Sequence, residues 1–197
     1  SQPGPHFCQT FRIWDWNTRK IVRTVRVPNS FGFMNTVLIP RDPKARAFAI
    51  PMVNNTVHVH LIDTSTGAYK NVLDLPDAGS SFTFMRMTSN GKRMFIAANT
   101  VGKVYVINTA DPNKPKLIQT VSLPNSGVHY VRLDRTERLV LVSGYFLNAG
   151  KVVMDGDHKV HVFRNGARKI TPITTLNLDT AVEGRQYRPH GFDFWWQ

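Results

Sequence analysis

The chain has 197 residues, 42% of them hydrophobic, which is enough apolar material for a sizeable core, and it carries no low-complexity segment. Its 25 Lys and Arg against 13 Asp and Glu leave a net charge of +12, which suits an acidic partner such as nucleic acid, an anionic membrane surface or an acidic protein. No apolar run approaches the roughly 18 residues a bilayer crossing needs. The N-terminus lacks the charged-then-apolar pattern of a signal peptide, and the single cysteine, Cys8, excludes an internal disulfide or a multi-cysteine metal cage.

In chain order, residues 11–16 and 20–27 predict two strands joined by a tight Asn17-Thr18 turn, the outer half of a blade. Strands follow over 34–40, 47–53, 56–63 and 69–75, then over 81–88, 93–99, 103–109 and 116–123. Ser89-Asn90-Gly91 and Asp111-Pro112-Asn113 supply the backbone angles and local hydrogen bonds that hairpin turns need. A third group spans 128–134, 138–145, 159–163 and 170–178, with a long insertion, 146–158, between its second and third members. Insertions of that length inside a compact fold are more often functional than not. Residues 189–196 predict the innermost strand of a further blade, and the aromatic residues, Trp14 and Trp16 included, read as packing between blades.

These groups repeat. Pro28, Pro76 and Pro124 stand 48 residues apart, each closing an apolar run and opening a polar turn. Arg46, Arg93 and Arg138 mark the same period, each opening an apolar strand after a turn, at intervals of 47 and 45. A period of 40 to 50 residues holding four short strands is the signature of a β-propeller blade. The expected architecture is all-β: a partial propeller over 1–197, with an outer half-blade at 11–27, blades at 34–75, 81–123 and 128–178, and the first strand of the next blade at 189–196. That is about half of a ring. An open arc leaves blade faces and edges unpartnered, with Phe192, Phe194, Trp195 and Trp196 loading one of them, so completion by another chain, a second copy or further sequence is expected.

The repeat places His129 and His190 near the starts of innermost strands in successive blades, where side chains converge on the central channel. Neutral imidazoles at a channel mouth are good ligands for Cu, Zn, Fe or Ni. His158 and His161, three apart, fall on opposite faces of an extended segment. Asp157 is placed to orient an imidazole from outside the metal's own ligand set, which makes His158 the third candidate. His58 and His60 read as the polar, outward side of a half-buried strand. Cys8 has no neighbour in sequence that would lower its pKa. No phosphate loop, Ser-His-Asp order or carboxylate pair is evident, so no catalytic residue is assigned.

Several motifs resemble the C-terminal half of the selenium-binding protein family, which includes methanethiol oxidases. They are Phe11-Arg12-Ile13-Trp14-Asp15-Trp16 with Lys20-Ile21-Val22-Arg23-Thr24, and Tyr105-Val106-Ile107-Asn108 with Asp111-Pro112-Asn113-Lys114-Pro115-Lys116-Leu117. The most specific stretch is Ser126-Gly127-Val128-His129-Tyr130, Tyr145-Phe146-Leu147-Asn148, Gly156-Asp157-His158-Lys159-Val160-His161-Val162 and Arg188-Pro189-His190-Gly191, in that order. The resemblance implies a seven-bladed propeller and a copper-dependent oxidation of methanethiol to formaldehyde, hydrogen sulfide and peroxide, the remaining ligands lying in the complementary half of the ring. The alternative is a non-catalytic propeller scaffold that docks on a larger assembly through its basic surface, with RNA contact through the outer strands as a weaker third reading.

Overall fold

The computed structural model describes residues 9–28, 30–53, 56–75, 83–145, 147–149, 152–154, 156–179 and 189–191. All regular structure among them is β. A two-stranded sheet, β1 (Thr10–Asp15) and β2 (Lys20–Arg26), precedes three four-stranded antiparallel sheets. The first is β3 (Ser30–Leu38), β4 (Arg46–Val53), β5 (Thr56–Asp63) and β6 (Tyr69–Leu75), and the second is β7 (Thr83–Met87), β8 (Arg93–Ala98), β9 (Lys103–Asn108) and β10 (Lys116–Ser122). The third pairs β11 (Val128–Leu133), β12 (Leu139–Gly144), β15 (Lys159–Asn165) and β16 (Ile170–Asn177) in that order. Between β12 and β15 lies a separate small hairpin, β13 (Leu147–Ala149) with β14 (Val152–Met154). Strands adjacent in sequence are adjacent in each sheet, the up-and-down order of propeller blades, and the chain makes about half of a ring. No helix among the described residues is long and apolar enough to cross a membrane.

The alternation of side chains along a strand explains how the sheets stack. In β8, Met94, Ile96 and Ala98 point into one core with Phe48, Ile50, Val57 and Val59 of the first blade. Phe95 and Ala97, on the opposite face, join Val104 and Val106 in a second core with Val140, Val142 and Phe163 of the third blade. All five of these β8 side chains are fully excluded from solvent. A strand buried on both faces must be apolar at every position, which is why the β8 and β9 sequences run apolar without the polar alternation of a one-sided sheet.

The β1–β2 hairpin covers the outer face of the first blade. Phe11 meets Phe33 edge-on at 5.3 Å between ring centroids, Val25 is buried, and an Arg23 Nη2 hydrogen donates to the Ser65 carbonyl at 2.9 Å. Gly67, at φ +77°, lies directly beneath Arg23 and Val25, where a Cβ would collide with both side chains.

Some local expectations change. The first strand of the first blade begins at Ser30, not 34, because two register shifts, between Ser30 and Phe33 and between Phe33 and Asn35, let pairing with β4 continue past the apolar run. Insertion 146–158 contains the β13–β14 hairpin. Trp14 and Trp16 do not pack between blades: they are 59% and 88% exposed, because β1 turns its other face to the first blade and Trp16 sits in the turn. Cys8, His6 and residues 192–196 lie outside the described residues.

Because Phe95 fills the seam between the second and third blades, Phe95→Ala is expected to lower the unfolding free energy by about 3–5 kcal/mol. Urea unfolding monitored by tryptophan fluorescence measures this. A loss below about 1 kcal/mol would show that the two blades do not share a core.

Candidate functional site

Two of the predicted histidines meet. His129, the second residue of β11, and His190, in the 189–191 segment, have ring centroids 5.0 Å apart. Aromatic rings surround them: Phe84 of β7 stands 4.4 Å from His129, Tyr130 and Tyr145 each 5.2 Å from it, and Tyr145 lies 4.5 Å from His190. Nearby, a cavity of about 200 Å³ is lined by residues of β3, β7 and β11, among them Asn35, Phe84, Arg86, Tyr130 and Arg132. These strands are the innermost of their blades, so the aromatic cluster stands where they face the channel.

The backbone explains why consecutive residues His129 and Tyr130 both reach the cluster. Pairing between β11 and β12 shifts register between Val128 and Val131. In that gap the Tyr130 N–H donates to Ser143 Oγ at 3.1 Å, and the same hydroxyl donates to the His190 carbonyl at 3.4 Å. Ser143 thus ties the 189–191 segment to the third blade, and Gly191 lies against the Tyr130 ring. On the neighbouring blade, Asn99 Nδ2 donates to the Gly127 carbonyl at 2.9 Å and fixes the turn that leads into His129.

The electrostatics follow from burial. His129 is 6% exposed, and its Nδ1 has no hydrogen-bond partner among the described residues. Burial, reinforced by the neighbouring His190, pushes its imidazole down to about 4, so it is neutral at physiological pH with a lone pair available to a ligand. His190 is exposed.

The other predicted residues sit apart from this pair. His158 precedes β15 with φ +52°, a backbone turn that takes it out of the extended alternation assumed for it, and its Nδ1 lies 2.5 Å from Asp179 Oδ1. Asp157 does orient an imidazole, but that of His161, whose Nε2 lies 2.8 Å from Asp157 Oδ2, while Asp157 Oδ1 accepts the Lys159 N–H. Gly144 is required beside this carboxylate, since a Cβ there would overlap Asp157 and approach the Ser126 carbonyl at 2.7 Å. Among the described residues no group of three or more His, Cys, Asp or Glu stands close enough to hold a metal ion. His60 does not point outward: it is 8% exposed and stacked on Tyr69 at 5.6 Å, while His58 Nδ1 meets Asp74 at 2.5 Å. His60 stays on the same side of the strand as His58, ring centroids 6.3 Å apart, and is buried there with the Tyr69 ring stacked on it. Sequence reasoning assigned no role to Phe84, Tyr130, Tyr145 or Ser143. The adjacency of Tyr130 to His129 was the available signal.

No family model matches the sequence, and no curated protein matches it. Solved structures match the fold. A hypothetical selenium-binding protein from Sulfolobus tokodaii superimposes with a TM-score of 0.66 at 14% identity, over 82% of this chain and 44% of that one. The periplasmic gluconolactonase of Pseudomonas aeruginosa matches with a TM-score of 0.60 at 14% identity, over 86% and 50%. The β-propeller domain of Myceliophteria thermophila Cps50 (Swd1) gives 0.57 at 15% identity, over 81% and 47%. The chain spans about half the length of these proteins, and at such identities the likeness establishes the propeller fold alone.

The buried imidazoles make stability depend on pH. An unfolded histidine titrates near 6.5, whereas His129 and His60 are each pushed down to about 4 by burial. As pH falls through that window the unfolded chain takes up protons that the folded chain refuses, so stability present above about pH 6.5 is lost progressively down to about 4. Urea unfolding at intervals from pH 7.5 to 4 should therefore show a shallower decline in His129→Gln than in the native chain. Equal slopes would mean that the folded imidazole takes up its proton normally.

Proposed function

We propose that the chain forms half of a propeller oxidoreductase of the selenium-binding protein type, in which His129 and His190 supply two imidazole ligands to a transition metal at the channel mouth. The observation that carries this reading is the approach of the two rings to 5.0 Å, with the buried Nδ1 of His129 unbonded among the described residues. A buried polar nitrogen without a partner is costly in an ordinary core and is tolerated where a ligand completes it. His158, the third predicted imidazole, stands apart from this pair and is held by Asp179. The remaining ligands would come from the complementary half of the ring.

Copper is the metal the family resemblance implies, and imidazole donors suit it. When bound, it would supply the redox chemistry by which dioxygen oxidises a small thiol such as methanethiol. The chain's own residues have simpler tasks. Burial keeps His129 unprotonated, and Phe84, Tyr130 and Tyr145 exclude water and offer apolar contact to a small alkyl group. Ser143 holds the His190 backbone in place.

Electron paramagnetic resonance of the Cu(II)-loaded protein, together with its metal content, tests the ligation. Nitrogen hyperfine structure from at least two imidazoles is expected, and His190→Ala, at an exposed position, should lose it while keeping its fold. Retention of the native spectrum in both His190→Ala and His129→Ala would sink the metal assignment. A second reading, a non-catalytic propeller that docks through its basic surface, draws on the +12 charge and on the half-exposed Ile21, Val22, Ile173 and Leu176. A metal-free complex with a partner in native mass spectrometry would select it.

A further inference from the structure

At the other end of β11 from His129, about 13 Å along the strand, the second and third blades part to form a cleft of about 760 Å³. This is within the range of small-ligand sites. Three turns surround it: 88–92 after β7, 134–138 after β11, and 166–169 after β15. Side chains lock these turns together. The Ser89 N–H donates to Glu137 Oε1 at 2.5 Å, and Asn165 Nδ2 donates to the Glu137 carbonyl at 2.8 Å. Arg93 Nη1 donates to Asn165 Oδ1 at 2.7 Å and to the Gly166 carbonyl at 2.6 Å, and its Nη2 reaches the Ala167 carbonyl. The walls are therefore fixed before any ligand arrives, which lowers the ordering cost of binding.

The charge on these turns is one-sided. Lys92, Arg135, Arg138, Arg168 and Lys169 are all exposed, and Lys92 and Arg168 line the cleft itself. The turns carry two carboxylates: Asp134 closes its own turn, and Glu137, which also lines the cleft, is turned onto a backbone amide. Glu137 receives the Ser89 amide, and Asp134 receives the Thr136 N–H at 3.2 Å and the Leu139 N–H at 2.7 Å. In the lining Lys92 and Arg168 outnumber the single acid Glu137, and the exposed Ala110 and Ile118 supply apolar surface beside them.

We propose that this cleft binds a small organic phosphate of nucleotide size, with its phosphates between Lys92 and Arg168 and its less polar part against Ile118 and Ala110. Cations beside apolar surface match an anionic head on an organic body. The site is independent of the histidine cluster, and it lies entirely between two blades that this chain supplies.

Isothermal titration of the full chain with ATP, inorganic phosphate and a ten-residue oligouridylate tests the proposal. Saturable 1:1 binding of ATP is expected, stronger than that of inorganic phosphate, and weakened about tenfold or more in Lys92→Ala/Arg168→Ala. If that variant fails to fold, amide chemical shifts in the native chain provide the second test, and ATP should move Ser89, Gly166 and Ala167. Absence of saturable ATP binding would overturn the proposal, as would ATP affinity unchanged in the folded variant. Binding confined to the oligonucleotide would also overturn it, because that would indicate a strand-length electrostatic surface in place of a cleft.

Discussion

The structure depends on one constraint: a blade buries apolar side chains on both faces only if another blade stands on each side. The second blade meets this condition fully, with Met94 and Ile96 against the first blade and Phe95 and Ala97 against the third. The outermost elements do not, and their apolar residues are correspondingly exposed, with Ile21 and Val22 at 42% and 57% on one side and Ile173 and Leu176 at 48% and 51% on the other. Apolar burial has no direction. It presses sheets together without fixing how far one may slide over the next.

Direction comes from polar groups placed along the seam between the second and third blades. Near the histidines, Asn99 reaches the Gly127 carbonyl. In the outer strands, Gln119 makes a two-way bridge to the Ile170 backbone, donating to its carbonyl at 3.0 Å and accepting its N–H at 2.8 Å. At the far end, Arg93 spans to residues 165–167. Three bridges, from the two ends of β8 and from β10, define one rigid relation between the blades, so the positions of Phe84 on one and His129 on the other follow from the fold and not from a loop.

The strands and the repeat were legible in the sequence because period-two alternation and proline-marked turns are local properties. The placement of His129 near an innermost strand start was legible for the same reason. Contacts between repeats were less so, as Arg46, Arg93 and Arg138 illustrate. Arg46 and Arg93 open the second strand of a blade, and Arg138 stands immediately before it. Yet Arg46 forks onto Asp42 in its own turn, at 2.7 and 3.0 Å, and drives that carboxyl down to about 2. Arg93 has no acid in its turn and crosses to the next blade, where burial lowers its pKa. Arg138 is left exposed. Nearly the same register yields three environments because the deciding partner lies elsewhere in the chain. Likewise His158 was assigned Asp157 by adjacency, but the positive φ at His158 rotates it toward Asp179 and leaves Asp157 to His161.

The two ends of the blades also divide the chain's chemistry. Where carboxylates occur in the turns after the innermost strands, they are employed in closing the backbone: Asp42 caps the Lys44 and Arg46 amides, and Asp134 those of Thr136 and Leu139. An acid used this way keeps its charge but directs it at the backbone, while lysines and arginines in the same turns, with long stems, carry theirs out into water. The excess of basic residues is therefore expressed more strongly at that end than composition alone conveys. At the opposite end, aromatic rings around His129 lower the local polarity and keep the imidazole neutral. A single strand, β11, joins the two settings, neutral and apolar where it begins and cationic where it turns back.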